Sequence, residues 1–455
     1  MEPTENKTAT LELGTKPVGR LLVQYATPAI IAMTATSLYN TVDSIFIGQG
    51  VGPLAISALA LTFPLMNLSG AFGAAIGVGA STYMSVKLGQ KDYKTAVNIL
   101  GNTLTLNAVV GIVFGAAMLL LLSPILRFFG ASDNTLPYAR EYMVIIMLGN
   151  PITHEYLGLN NMLRAAGKPR QAMSATIFTV LLNTALDPVF IYALDMGIRG
   201  AALATVLAQA VALAWEIWLF CNPGDLLHFR RGNYALRSDI VGNIVAIGIS
   251  PFAMNMCACV VVVFINKSLT TYGGDLAVGA YGIANRIAFL FLMVVMGINQ
   301  GMQPIAGYNY GALLFHRLMG VVRYAMIAAT AVTTTAFIVG ELFPYQCARL
   351  FTRDAELTRL SAGAIRIMLV TFPIVGFQMV VTNFFQSIGK VKVSIFMALS
   401  RQLIFLLPLL LTLPLAFGLN GVWASLPAAD AISSITAAVL MSMYMKKFRR
   451  EIKKM

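Results

Sequence analysis

Apolar runs of about 20 residues or more, interrupted by Gly, Pro and charge, recur along the whole chain and constrain the fold more than any other feature of the sequence. Twelve such runs start near Leu21, Pro53, Ala96, Tyr142, Ala172, Ile198, Ile240, Val278, Val321, Ala364, Val393 and Leu419. One buried core helix cannot account for each of them, so the chain needs a bilayer as solvent. At 58% hydrophobic and 11% charged residues it also lies far from soluble composition. An outer-membrane barrel would show short alternating segments instead of long runs. The fold class is therefore all-α and polytopic, with twelve transmembrane helices.

The net charge of +13 raises nucleic acid as a partner, but the positions of the basic residues remove that reading. Assigned to alternate connections, Lys7, Lys16, Arg20, Lys87, Lys91, Lys94, Arg164, Lys168, Arg170, Arg230, Arg231, Arg237, Arg317, Arg323, Lys390, Lys392 and the basic tail fall on one side. Only Arg127, Arg140, Arg199, Lys267, Arg349, Arg353 and Arg359 fall on the other. The positive side is cytoplasmic, which places both termini there, and anionic lipid headgroups are the partners of these loops. Residues 1–19 lack an apolar core followed by a small-residue cleavage site, so they read as a cytoplasmic segment of an inner-membrane protein and not as a signal peptide. Cys221, Cys257, Cys259 and Cys347 form no CxxC pair or metal spacing with the three histidines and read as packing residues.

The chain is written twice. Leu163-Arg-Ala-Ala-Gly-Lys168 returns 222 residues later as Phe385-Gln-Ser-Ile-Gly-Lys390, and the same offset relates Asn150-Pro151 to Phe372-Pro373 and Arg127-Phe-Phe to Arg349-Leu-Phe. Ala26-Thr-Pro28 returns as Ile249-Ser-Pro251. Six runs precede the basic stretch and six follow it, so the halves share one orientation. The division is a first lobe over 20–224, an inter-lobe loop over 225–239, a second lobe over 240–446 and a basic tail over 447–455. Parallel repeats of this kind commonly enclose a central cavity that opens to alternate sides. Prolines within the runs, Pro28 foremost, remove helix hydrogen bonds and permit bending.

Ionisable groups deep in apolar runs are costly and mark functional candidates. The first half holds Asp43, Glu155, Asp187 and Glu216. Tyr39 and Asp43 lie one turn apart in the first run, and Asn183 and Asp187 repeat that spacing in the fifth, immediately before Pro188. Asn160, Asn161 and Thr205 add oxygens. Such a set suits a hard cation such as sodium, or a proton held on one carboxylate beside another. The second half has no carboxylate matching Asp187. Glu155 and Asp430 are weaker candidates; in the second half Asp430, Arg286 and Arg366 each read as structural or interfacial, with an Arg-Asp pair across that half as the other reading. No nucleophile with a base, phosphate loop or metal cluster occurs, so neither an enzyme nor an ATP-driven pump is indicated.

These motifs resemble the multidrug and toxic compound extrusion (MATE) family from about Pro17 to Lys447. The resemblance rests on Tyr39-Asn-Thr-Val-Asp43-Ser-Ile-Phe-Ile-Gly48, Leu163-Arg-Ala-Ala-Gly-Lys-Pro169, Asn183-Thr-Ala-Leu-Asp187-Pro188 and Gly197-Ile-Arg-Gly-Ala-Ala202. It implies two lobes forming a V, and export of cationic or amphipathic drugs in exchange for protons or sodium, with no cofactor. By the same resemblance the coupling residues are Asp43, Tyr39, Asn183, Asp187, Thr205 and Asn160, with sodium a ligand for Asp43, Asn183, Asp187 and Thr205. The occupied site would alter the bend of the first helix at Pro28. The seventh and tenth runs lack the acids that other branches use, which points to the DinF-like branch. The self-contained two-lobed plan implies a monomer. The alternative function is a flippase or exporter of a lipid-linked saccharide or cell-wall precursor on the same plan.

Overall fold

The structure, a computed structural model, describes residues 12–454, and is helical throughout with no strand among them. Most of the polar amino-terminal segment, including Lys7, lies outside the described residues. The helices are α1 (Val18–Gly50), α2 (Pro53–Gly89), α3 (Tyr93–Leu120), the short α4 (Leu122–Phe128), α5 (Leu136–Leu148), α6 (Asn150–Ala165), α7 (Pro169–Pro188) and α8 (Gly197–Phe220). There follow α9 (Ser238–Gly311), α10 (Phe315–Leu342), the short α11 (Pro344–Arg349), α12 (Ala355–Leu369), α13 (Phe372–Ser387), α14 (Val391–Leu399), α15 (Leu407–Phe417) and α16 (Leu419–Lys454). Wide π-helical turns extend α7 over Val189–Ala193 and join α14 to α15 over Ser400–Leu406.

Nine helices among the described residues are long and apolar enough to cross a bilayer, and α12 with α13, bent by 52°, make a further broken span. Two physical details reconcile this with twelve. The 74-residue α9 contains two of the expected runs end to end, broken at Gly274 with φ +66°, a backbone conformation that glycine adopts without a Cβ penalty. The fourth run is α5 plus α6, whose mean hydropathy is lowered by Asn150, His154, Glu155, Asn160 and Asn161. Helix starts fall at the expected positions for Pro53 and Leu419 and up to nine residues before them elsewhere, the largest difference being Ala355 against Ala364. α3 is N-capped by Asp92, which accepts from the Thr95 amide at 3.1 Å, and that bond holds the Asp92 carboxyl below its ordinary value.

Two compact units emerge, residues 31–252 and residues 16–30 with 253–455, the first including residues 12–15. The first is built around Ile47, Leu65, Phe114, Tyr142, Met143 and Ile146, the second around Ile265, Leu269, Ile287, Ile365, Phe372 and Trp423. Each unit thus contains the opening turns of the first helix of the other sequence half. Glycines make this possible. In the first unit a Cβ on Gly79 would sit 2.1 Å from the Ile244 carbonyl oxygen, and one on Gly248 2.4 Å from that of Ala75. In the second, the counterpart Gly301 would meet Ala26 N at 2.5 Å, and Gly297 would meet Ile30 at 2.5 Å. The change of unit falls two residues after Pro28 and one after Pro251.

The segments leading into these helices are pinned as well. Asn102 on α3 donates to Asn233 O (3.1 Å) and accepts from the Arg237 amide (2.8 Å) in the first unit, where Lys168 and Asp225 form an almost buried ion pair. Arg317 donates to Lys16 O (2.5 Å) and to Asn309 (3.0 Å) in the second.

Backbone-limited glycines should resist enlargement. Gly111→Ala places its Cβ 2.7 Å from Pro151 Cα and should cost about 1–3 kcal/mol, read as a lower Tm in detergent. Gly70→Ala, with nothing within 4 Å of the new Cβ, should not lower it.

Candidate functional site

Pro188 supplies no amide hydrogen, and the helix widens into the π turn directly after it. Ile191 and Tyr192 of that turn pack against Gly50, where a Cβ would lie 2.5 and 2.8 Å from them, and the Tyr192 hydroxyl donates to Phe46 O at 3.2 Å. The carboxy-terminal half of α1 is thereby held beside α7. One turn and more below this contact, Asp43 and Asp187 meet within the first unit.

Both acids are buried, Asp187 completely, and their carboxyl groups are hydrogen-bonding neighbours. Two carboxyl oxygens approach one another only with a proton or cation to separate their charge. Asn183 is buried one turn before Asp187. The amide orientation that satisfies both of its ends has Nδ2 donating to Asp187 Oδ2 (2.9 Å) and Oδ1 accepting from the Thr205 hydroxyl (3.1 Å). Thr205 Oγ1 also lies 3.2 Å from the Tyr39 hydroxyl, which ties α1, α7 and α8 through one shared oxygen. Among the described residues Oδ1 of each aspartate is buried without a partner, which leaves two oxygens of the site uncommitted there. Among the described residues no group of three or more His, Cys, Asp or Glu stands ready for a metal.

Five of the residues singled out in the sequence, Tyr39, Asp43, Asn183, Asp187 and Thr205, are therefore one constellation. Asn160 belongs to a different one. It donates to Glu216 Oε1 (2.9 Å) and to Ala172 O (3.0 Å), and accepts from Arg164 Nη2 (2.5 Å), so a neutral amide links a buried acid to a guanidinium. Tyr142 on α5, which sequence reading used only to mark the start of a run, is buried with Asp43, Tyr39 and Asp187 in electrostatic reach. A tyrosine at the start of an apolar run carries no signal that separates a site residue from an interfacial one.

The weaker candidates are also placed. Glu155 is buried against α3 with neither carboxyl oxygen bonded, and neighbouring His154 has Nε2 3.0 Å from Ser69 O. Asp430 is buried on α16 and accepts from Arg401 Nε at 2.7 Å. The Arg-Asp pair of the second half is thus formed by Arg401, and not by Arg286 or Arg366. Arg401 lies in the π turn of Ser400–Leu406, which packs on α16, whereas Arg366 is directed to the partly exposed Glu341 at 4.0 Å. All four cysteines are free.

Comparison with known proteins agrees with this architecture. The MatE family model matches residues 28–189 and again residues 251–412, once in each half. The multidrug export protein MepA of Staphylococcus haemolyticus is 26% identical, covering 93% of each chain. MepA of Staphylococcus aureus (strain MSSA476) is 25% identical over 93% of this chain and 94% of its own. A multidrug resistance MATE transporter of the MOP superfamily, solved in an outward-facing conformation, superimposes with a TM-score of 0.91 at 25% identity, covering 99% of this chain and all of that one. A MATE protein in a straight conformation gives 0.90 at 26% identity over 97% of this chain and 99% of that one. The chain belongs to the MATE family and is a multi-pass membrane transporter of twelve helices in two lobes, not an enzyme.

Because the Thr205 hydroxyl is the partner of the half-buried Tyr39 hydroxyl and a second donor to Asn183 Oδ1, which also accepts from the Thr205 amide at 2.9 Å, Thr205→Val should cost about 1 kcal/mol. Thermal unfolding in detergent should show the loss, and Thr205→Ser should remain near wild type.

Proposed function

We propose that this chain is a secondary antiporter of the inner membrane that exports cationic or amphipathic drugs in exchange for protons or sodium, working as a monomer with both termini cytoplasmic. The observation that carries the coupling mechanism is the Asp43–Asp187 contact. A proton or a sodium ion bound there removes the repulsion between the two carboxylates, and Tyr39, Asn183 and Thr205 complete the polar shell. Sodium would find oxygens from Asp43, Asp187, Asn183 and Thr205. A proton needs only the two carboxyl groups.

The consequence of occupancy travels along α1. Asp43 lies on the same helix as Pro28, and the hydrogen bond missing at Pro28 makes that helix easier to bend than a continuous one. Loss of the ion leaves two buried carboxylates opposed, so α1 and α7 must move or take on another cation. Drug and ion then compete through the state of α1, and the lobes over 20–224 and 240–446 alternate in access. Asn160 acts outside this shell, holding Glu216 and Arg164 in place.

Efflux of a fluorescent cationic drug from proteoliposomes under separate proton and sodium gradients tests the reading. Wild type should respond to one gradient. Asp43→Asn and Asp187→Asn should each reduce gradient-driven efflux at least about a hundredfold while reaching the membrane at wild-type levels. Retained efflux in either variant would remove the pair from coupling. Failure of both gradients in wild type would favour the flippase of a lipid-linked saccharide.

A further inference from the structure

A cavity of about 640 Å³ opens in the second unit between α11 and α12, lined by Tyr345, Arg349, Thr352, Arg353, Thr358 and Arg359. None of its three guanidinium groups forms an ion pair among the described residues. The internal repeat shows that this is not a general property of the position. Arg127, the counterpart of Arg349, is paired with Asp133 at 3.0 Å, and the residue 222 positions after Asp133 is Ala355, which offers no charge. Asp354 spends its carboxylate as the N-cap of α12, accepting from the Leu357 amide at 2.7 Å.

These arginines also lie on the side of the sequence that is otherwise poor in positive charge, so topology does not explain them. Exposed apolar side chains flank the lining residues along the chain: Leu342 at 65%, Phe343 at 50%, Leu350 at 82% and Phe351 at 42%. Arginine forks match phosphate oxygens, hydroxyl groups of Thr352 and Tyr345 add donors, and the flanking apolar side chains suit acyl chains at a membrane interface.

We propose that this cavity binds the phosphate headgroup of an anionic membrane lipid, its oxygens on Arg349, Arg353 and Arg359 and its acyl chains along Leu350 and Phe351. The site rests on the membrane setting alone and is independent of the coupling pair.

Binding to the purified full-length protein in nanodiscs or micelles tests it, with phosphatidylglycerol, phosphatidylcholine and inorganic phosphate as probes, read by native mass spectrometry and by displacement of a labelled lipid. Wild type should retain phosphatidylglycerol in preference to phosphatidylcholine. The triple variant Arg349→Gln, Arg353→Gln, Arg359→Gln should lose that preference by about tenfold or more. The corresponding triple Lys variant should keep most of it, and Arg127→Gln should keep all of it. Drug efflux by the triple Gln variant, and its monodisperse elution, report that the fold survives. Equal phosphatidylglycerol binding by wild type and the triple Gln variant overturns the proposal. Inorganic phosphate that binds as tightly as phosphatidylglycerol, through the same arginines, makes free phosphate the ligand and overturns the lipid assignment.

Discussion

In hydrocarbon every backbone and side-chain polar group has to find its partner inside the protein, and that single constraint orders the rest of this structure. It restricts the chain to helices, and it makes each interruption of a helix costly unless something local compensates. The interruptions here are few and specific: Gly274, the bend between α12 and α13, and the π turns next to Pro188 and Pro408. It also explains the glycine contacts. Gly79, Gly111, Gly248, Gly297 and Gly301 let helices touch backbone to backbone, where dispersion contacts replace the hydrophobic drive that is missing between helices in lipid.

The same constraint gives the acid pair its meaning. Asp43 and Asp187 are buried in one unit, and among the described residues no arginine or lysine forms an ion pair with either. The second unit answers the same problem in another way, since its buried Asp430 is neutralised by Arg401. One half of a duplicated chain therefore carries two neighbouring acids without a basic partner among the described residues, and the other carries an acid paired with an arginine of the protein itself. The coupling proposed above needs that difference, since it rests on an exchangeable counter-ion at the first pair.

Much of this was legible in the sequence. The apolar runs and the 222-residue repeat give the helices and their pairing, and the one-turn spacings Tyr39–Asp43 and Asn183–Asp187 give the site, because side chains four apart share a helix face. What stayed hidden depends on contacts between helices distant in sequence. Asn160 has the same chemistry as Asn183, but it faces Glu216 and Arg164, which periodicity cannot predict. Tyr142 reads as an apolar marker until its neighbours are known. The partner of Asp430 depended on a π turn, which shifts the faces of a helix relative to the regular 3.6-residue period. Likewise the exchange of opening turns between halves leaves only Pro28 and Pro251 as traces in the sequence.

The π turns connect these points. In both halves the fifth helix departs from α geometry beside a proline, over Val189–Ala193 in one and Ser400–Leu406 in the other. In the first unit the turn locks α1 through Gly50 and Phe46 and so brings Asp43 to Asp187. In the second it directs Arg401 to Asp430. The two distortions lie on opposite sides of the proline, after Pro188 in one half and before Pro408 in the other, and the charged groups they place differ accordingly.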